Sequence, residues 1–303
     1  MLNLVTDLDS LTAAIATAVG YTYRLMPLQV RCTYPVFRGE AAGAPPVFVK
    51  VGTKEEWTRT VNLLQEIGDC GFFSRFLTDA PIEYNGFAVF VMEWRESCIV
   101  FPEDMSDRQA ESFVAGCVRL SAALQKATDF TPIATSSLAP ERLYGDILQY
   151  VAGHPVAGRL LKRILNVPAV ERTFGSRSLS IIHGDFHSKN FGFSGDEFAS
   201  VFDFDKLTQG LACMDLTNVL IERFSCFGLS AATRRRLAER TRYIISKAPW
   251  PREDFVIAAN IVRLQFAARR IRKHPNSAWV ALDIWRRDRA LREFLGCIKR
   301  SGS

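Results

Sequence analysis

The chain has 303 residues, 48% of them hydrophobic and 23% charged, with a formal net charge of +6. This is ordinary globular composition, enough for one large domain or two unequal lobes. No apolar run approaches the ~20 residues of a membrane helix, which argues against membrane insertion. The opening "MLNLVTDLDSLTAAIATAVG" carries Asp7 and Asp9 and no basic segment, against a signal peptide. Seven cysteines without a CxxC pair read as reduced thiols of a cytoplasmic protein.

After an initial helix the first hundred residues read as strand-rich. "YRLMPLQV", "YPVFRG" and "PPVFVKVG" are short runs of Val, Phe and Tyr, and "EAAGAPP" between the last two supplies turn chemistry. "KEEWTRTVNLLQEIG" is a helix with Val61, Leu64 and Ile67 at helical spacing and Gly68 as its stop. "FAVFVMEW" is an apolar run of strand length. A lobe boundary is expected here, with 1–97 forming a small β-rich lobe and 98–303 a larger, mostly helical one.

In the second part Ser106 and Gln109 form a capping box. Helical patterns follow around 140–152, 156–173, 213–226, 231–247, 252–273 and 277–299. Short strands flank "HGDFHSKN" and precede "DFD". From residue 230 onward Lys/Arg outnumber Asp/Glu by 18 to 6, whereas the rest of the chain is acidic by 26 to 20. That excess is either solvated helix faces or a surface that meets an anion. "RRR", "RRIRKH" and "RRDR" come without an aromatic–basic RNA module, so nucleic acid is not the expected partner. Trp279 and Trp285 read as core residues of the last helix.

Two acidic turns carry the chemistry. Asp185 and Asn190 lie five apart in "HGDFHSKN", and Asp203 follows Asn190 by thirteen residues in "VFDFD". If "NFGF" and "ASVFDF" pair as a hairpin around "SGDE", Asn190 and Asp203 reach the same end of that ribbon. An amide oxygen and a carboxylate are hard ligands of the kind Mg²⁺ takes. Asp185 is then left to accept a proton from a hydroxyl, as phosphoryl transfer requires. A cation for the remaining phosphates is available in "VFVK". Lys50 ends an apolar strand, where it either snorkels or meets an anion. Glu66, sixteen residues on in the next helix, is placed to hold it.

With these residues the chain resembles the aminoglycoside phosphotransferase and choline kinase branch of the protein-kinase-like fold. "IIHGDFHSKN" is similar to that family's catalytic loop and "VFDFD" to its metal-binding segment. "VFVK" resembles the strand-three lysine, "LLQEIG" the helix-C glutamate, "FVMEW" the hinge and "GLACMDLTNVL" the start of a later helix. The resemblance implies a bilobal α+β fold and an ATP- and Mg²⁺-dependent kinase acting on a small-molecule hydroxyl. It makes Asp185 the base, Asn190 and Asp203 the metal ligands, and Lys50 with Glu66 the phosphate anchor. Met92 becomes the gatekeeper, with Glu93 and Arg95 meeting the adenine through their backbone. His183 and Asp215 brace the catalytic loop. Asp205 is either a second metal contact or a solvated turn residue. His187 touches the transferred phosphate, lines the acceptor cleft or is passive.

Departures are visible too. No GxGxxG precedes Lys50, so the phosphate-covering turn is expected near "QVRCTY", with Arg31. Protein-kinase activation-segment signatures are absent, which favours a small acceptor. A neutral or anionic sugar-like acceptor fits the basic C-terminal quarter better than a polycation. Aminoglycoside or amino-alcohol kinase, and nucleotide-binding pseudokinase, are the alternatives. Oligomeric state is open.

Overall fold

The central strand of the N-terminal sheet, Ala44–Gly52, alternates its valines with residues that face the other way. The computed structural model describes residues 7–28, 34–68, 71–127, 149–150, 152–153, 178–204, 206–226, 228–274 and 279–300. It divides into two units, Met1–Ser97 and Cys98–Ser303. In the first unit, α1 (Leu8–Val19) starts where the Asp7 carboxylate accepts from the amides of Asp9 and Ser10. Strands β1 (Arg24–Pro27), β2 (Val36–Ala41), β3 (Ala44–Gly52), β4 (Ile82–Tyr84) and β5 (Phe87–Glu93) form one antiparallel sheet, ordered β1-β2-β3-β5-β4.

Val47, Val49 and Val51 of β3 point to one face and pack with Leu11 and Ile15 of α1 and with Val89 and Val91. The intervening residues point the other way. Phe48 pairs with Met92 and Lys50 with Phe90, so a lysine sits half-buried in a central strand on the face α1 leaves uncovered. Its ammonium lies 5.7 Å from the Phe90 ring centroid. Asn85 and Gly86, both at positive φ, close the β4–β5 hairpin.

Helix α2 (Lys54–Ile67) is opened by a full Thr53–Glu56 capping box and buries Trp57, Leu63 and Ile67. Gly68, at φ 67°, ends it.

In the second unit α3 (Asp107–Leu124) begins at the Ser106–Gln109 capping box. Two small ladders follow. β6 (Ser180–Ile182) pairs with β9 (Thr208–Gly210), and β7 (Phe191–Ser194) pairs with β8 (Glu197–Val201) around Gly195. The β9 strand carries no long apolar run and was not legible in the sequence. Helices α4 (Met214–Phe224), α5 (Ala231–Lys247), α6 (Arg252–Lys273) and α7 (Trp279–Arg300) complete the unit. The helices expected at 140–152 and 156–173, and the turn expected at Arg31, fall almost wholly outside the described residues.

The core under the hairpin is aromatic. Phe113 of α3 meets Phe191 at 4.9 Å and Phe198 at 5.8 Å between ring centroids. α3 can come this close because position 116 is glycine, where a Cβ would fall 2.3 Å from the Phe198 ring.

The basic C-terminal quarter proves to be extensively paired. Arg236 and Arg240 reach Asp104 and Asp107, and Lys247 reaches Glu111. Arg263 and Arg292 share the buried Asp288. Arg234, Arg235, Arg270 and Arg289 also have carboxylate partners. Trp279 and Trp285, expected in the core, are 74% and 41% exposed. The buried stripe of α7 runs through Val280, Ile284, Leu291 and Phe294, and each tryptophan sits one residue, about 100° of helical rotation, off it.

Candidate active site

The catalytic-loop segment is built between β6 and β7 and is pinned from three sides. The buried Asp215, in the first turn of α4, accepts from the amides of His183 at 2.8 Å and Gly184 at 3.1 Å. His183 is fully buried, and its Nε2 donates to the Phe202 carbonyl at 2.8 Å. Phe186, also fully buried, inserts among Phe113, Phe191 and the His183 ring, while Asn218 of α4 donates to its carbonyl at 2.8 Å. His183 and Asp215 therefore do the bracing expected of them. Asn218 and Phe186 share that work. Asn218 could have been suspected from its place one helical turn after Asp215.

Burial pushes the Asp215 carboxyl above its ordinary value of 3.8, against the pull of His183 and of the two amides. A carboxyl whose folded pKa is raised stabilises the fold fully below the unfolded value. It loses that contribution as the pH rises through the folded one. Asp215→Asn offers one acceptor in place of two oxygens and turns an NH₂ towards a backbone N–H. It should cost about 1–3 kcal/mol. The gap to wild type in urea unfolding should be wider at pH 4 than at pH 7.

Asp185 and Asn190 stand on this frame. The Asn190 amide nitrogen donates to the Asp185 carbonyl at 2.9 Å, and its backbone N–H to the His187 carbonyl at 2.8 Å. Phe202 N–H donates to the Asn190 carbonyl at 2.9 Å, continuing the β7–β8 register in which Phe191 faces Val201. Asn190 and Asp203 thus come to the same open end of one hairpin, as the spacing predicts. Asp203 holds φ at 64°, a conformation aspartate tolerates better than most residues but rarely adopts without cause.

These donors fit a hard divalent cation. The Asn190 side chain is fixed by its nitrogen, among the described residues its Oδ1 accepts no hydrogen bond, and the second donor is a carboxylate. Among the described residues no cluster of three or more His, Cys, Asp or Glu could hold a metal by itself. Asp205 lies outside the described residues.

One partner was missed. Lys206, on the short link to β9, puts its ammonium on the Asp185 carboxylate. Its signal was a lysine three residues after Asp203, just beyond the "VFDFD" segment. His187 stays local, its Nδ1 accepting from the Lys189 amide at 3.2 Å.

In the first unit Lys50 and Met92 share the sheet face opposite α1. The Glu93 amide donates to Arg75 O at 2.9 Å, and Arg95 Nη1 donates to Gly71 O at 2.5 Å. Glu66 is not brought to Lys50. It is exposed and forms no ion pair among the described residues, because the buried face of α2 runs through Leu63 and Ile67 and leaves position 66 outside it. Glu56, nearer the sheet, caps its own helix instead.

A family model described as "Phosphotransferase enzyme family" matches residues 43–270, most of the chain. The chain belongs to that family. No curated protein is similar in sequence. Among solved structures, the amicoumacin kinase hAmiN, in complex with AMP-PNP, Ca²⁺ and Ami, is 12% identical with a TM-score of 0.62, over 94% of this chain and 93% of that one. A thermostable mutant of aminoglycoside phosphotransferase APH(4)-Ia, in ternary complex with ADP and hygromycin B, is 13% identical with a TM-score of 0.62, over 94% and 98%. Spectinomycin phosphotransferase APH(9)-Ia, in complex with ADP and spectinomycin, is 9% identical with a TM-score of 0.61, over 96% and 97%.

At such identities the likeness is one of fold. It establishes the protein-kinase-like architecture, a small antiparallel sheet followed by a mostly helical part. Family membership makes the chain a phosphotransferase of the small-molecule kinase kind. Among the described residues no helix is long and apolar enough to cross a membrane.

Proposed function

We propose that this phosphotransferase moves the γ-phosphoryl group of ATP to a hydroxyl of a small molecule. The observation that carries the reading is that Asn190 and Asp203 flank the open end of one hairpin, with the Asp185 backbone carbonyl hydrogen-bonded to the same asparagine. Asn190 and Asp203 hold Mg²⁺, which when bound neutralises charge on the phosphates. Asp185 accepts the hydroxyl proton. Lys50 anchors the non-transferred phosphates. Met92, Glu93 and Arg95 line the adenine site, and Asp205 and His187 belong to the metal and acceptor sides.

The acceptor is a small polar alcohol. The preference for a neutral or anionic sugar rested on the basic C-terminal quarter. Nine of its 18 cations pair with carboxylates, but only Asp104, Asp107 and Glu111 come from outside that quarter, so it keeps a basic excess and the preference stands. Aminoglycoside-like and other antibiotic alcohols are the alternative. The test is a screen of sugars, amino alcohols, aminoglycosides and nucleosides with ADP release as readout, preceded by a thermal-shift titration with MgATP. Nucleotide should raise the melting temperature, and one acceptor class should accelerate ADP release. A shift without hydrolysis or acceptor-stimulated ADP release would leave a nucleotide-binding pseudokinase, and no shift at all would overturn the reading.

A further inference from the structure

The proposed base is occupied by a cation that the metal–base–anchor scheme does not use. Lys206 Nζ bonds the Asp185 carboxylate. The lysine side chain is 57% exposed and that of Asp185 17%, so the ammonium is the more solvent-accessible member of the pair. The backbone beneath is fixed. Ile182 pairs with Thr208 across the β6–β9 ladder, and the Lys206 carbonyl packs so closely on Gly184 that a Cβ there would fall 2.1 Å away. The lysine is thus anchored beside the catalytic loop through its main chain, while among the described residues its ammonium makes one of the three hydrogen bonds it can donate. The loop's other candidate for a phosphate contact, His187, is turned to its own backbone.

We propose that Lys206 is a catalytic residue that bridges the base and the transferred phosphoryl group. Its ammonium orients the Asp185 carboxylate. With nucleotide bound, a second donor reaches an oxygen of the γ-phosphate, where charge builds as the phosphoryl group leaves ADP for the acceptor oxygen. A fixed cation at that point acts as a preorganised clamp on the group in flight. The contact exists only towards the γ-phosphate, so it distinguishes a triphosphate from a diphosphate. This assignment rests on Asp185 being the base.

The experiment compares wild type with Lys206→Ala and Lys206→Arg by calorimetric titration of AMP-PNP and, separately, of ADP, and by slow ATP hydrolysis read as ADP release. Wild type should bind AMP-PNP more tightly than ADP. Lys206→Ala should lose on the order of 10-fold of that preference, the worth of one charge-assisted hydrogen bond to phosphate. ADP affinity and the unfolding midpoint should stay unchanged. Hydrolysis in Lys206→Ala should fall in kcat on the order of 10²-fold, and Lys206→Arg should recover part of both effects. An unchanged AMP-PNP to ADP ratio overturns the assignment, whatever happens to kcat. A wild type that binds neither nucleotide sinks the phosphotransferase reading itself, which keeps the two failures apart.

Discussion

Asp185→Asn should bind nucleotide as wild type does and lose phosphoryl transfer by on the order of 10²–10⁴-fold, the range for removing a positioned general base. The substitution is close to isosteric, and the backbone carbonyl that receives the Asn190 amide is untouched, so the metal-side geometry persists. What goes is the lone pair for the hydroxyl proton and the charge that faces Lys206. Loss of that ion pair should cost the fold little, about 0–1 kcal/mol, because the lysine is more than half exposed and water takes its place. The readout is ADP release with and without an acceptor, beside an AMP-PNP titration. Full hydrolysis in the variant would remove Asp185 from the mechanism. Weakened binding with proportionate loss of rate would make it a nucleotide contact instead.

Gly184→Ala should be the more damaging change to the structure, although it adds one methyl group and touches no charge. Gly184 holds φ at 75°, where an L residue costs about 1 kcal/mol. The added Cβ would also stand 2.1 Å from the Lys206 carbonyl oxygen and 2.9 Å from the Thr208 methyl. Neither is the far end of a flexible side chain. One is backbone and the other is fixed in the β6–β9 ladder. The segment carrying Lys206 must therefore move away from the loop carrying Asp185. A loss of about 2–4 kcal/mol in urea unfolding is expected. Activity should drop on the order of 10²-fold in whatever protein stays folded, since displacements near 1 Å at reacting groups cost that much. A wild-type midpoint together with wild-type turnover would show that the two segments are not coupled.

The parts of this site legible in the sequence are those whose residue types state their chemistry. Asp185, Asn190 and Asp203 could be picked out because two acidic turns flank short apolar runs at hairpin spacing, and the β7–β8 ladder brings them together as that spacing demands. Lys50 was visible as the one charge in an apolar strand. Glu66 illustrates the limit. Sixteen residues of separation placed it on the right helix, but only the angular position of Leu63 and Ile67 reveals that it faces away. Lys206 was illegible for a related reason. Its meaning depends on the pairing of β6 with β9, and β9 is three residues, Thr208, Gln209 and Gly210, with no periodicity to read.

The Asn85–Gly86 turn did carry a signal that passed unread. The strand before it is only three residues long and has no alternating pattern of its own. Net charge along the chain says least about any one surface. Counting arginines along α5 to α7 treats them as one surface, whereas their carboxylate partners lie partly on the segment 104–111, far away in sequence.

Helix α3 has a consequence for how this chain can vary in length. At its start Gln109 Nε2 donates to the Gly195 carbonyl at 2.9 Å and the Ser106 hydroxyl to Asp196 at 3.1 Å, at the turn of the β7–β8 hairpin. Further on, Ser112 receives the Phe198 amide at 2.9 Å and Gly116 admits the Phe198 ring. Just past its end Gln125 reaches Ser180 at 3.2 Å, at the start of β6. The helix is therefore a ruler graduated at several points, with the far end of the β7–β8 hairpin at one mark and the strand leading to His183 at another. One residue inserted or removed within it would rotate every later mark by about 100° and shift it by 1.5 Å. Point changes on its outer face can be absorbed one by one, but changes of length cannot. Indels in working descendants of this sequence should spare 106–125.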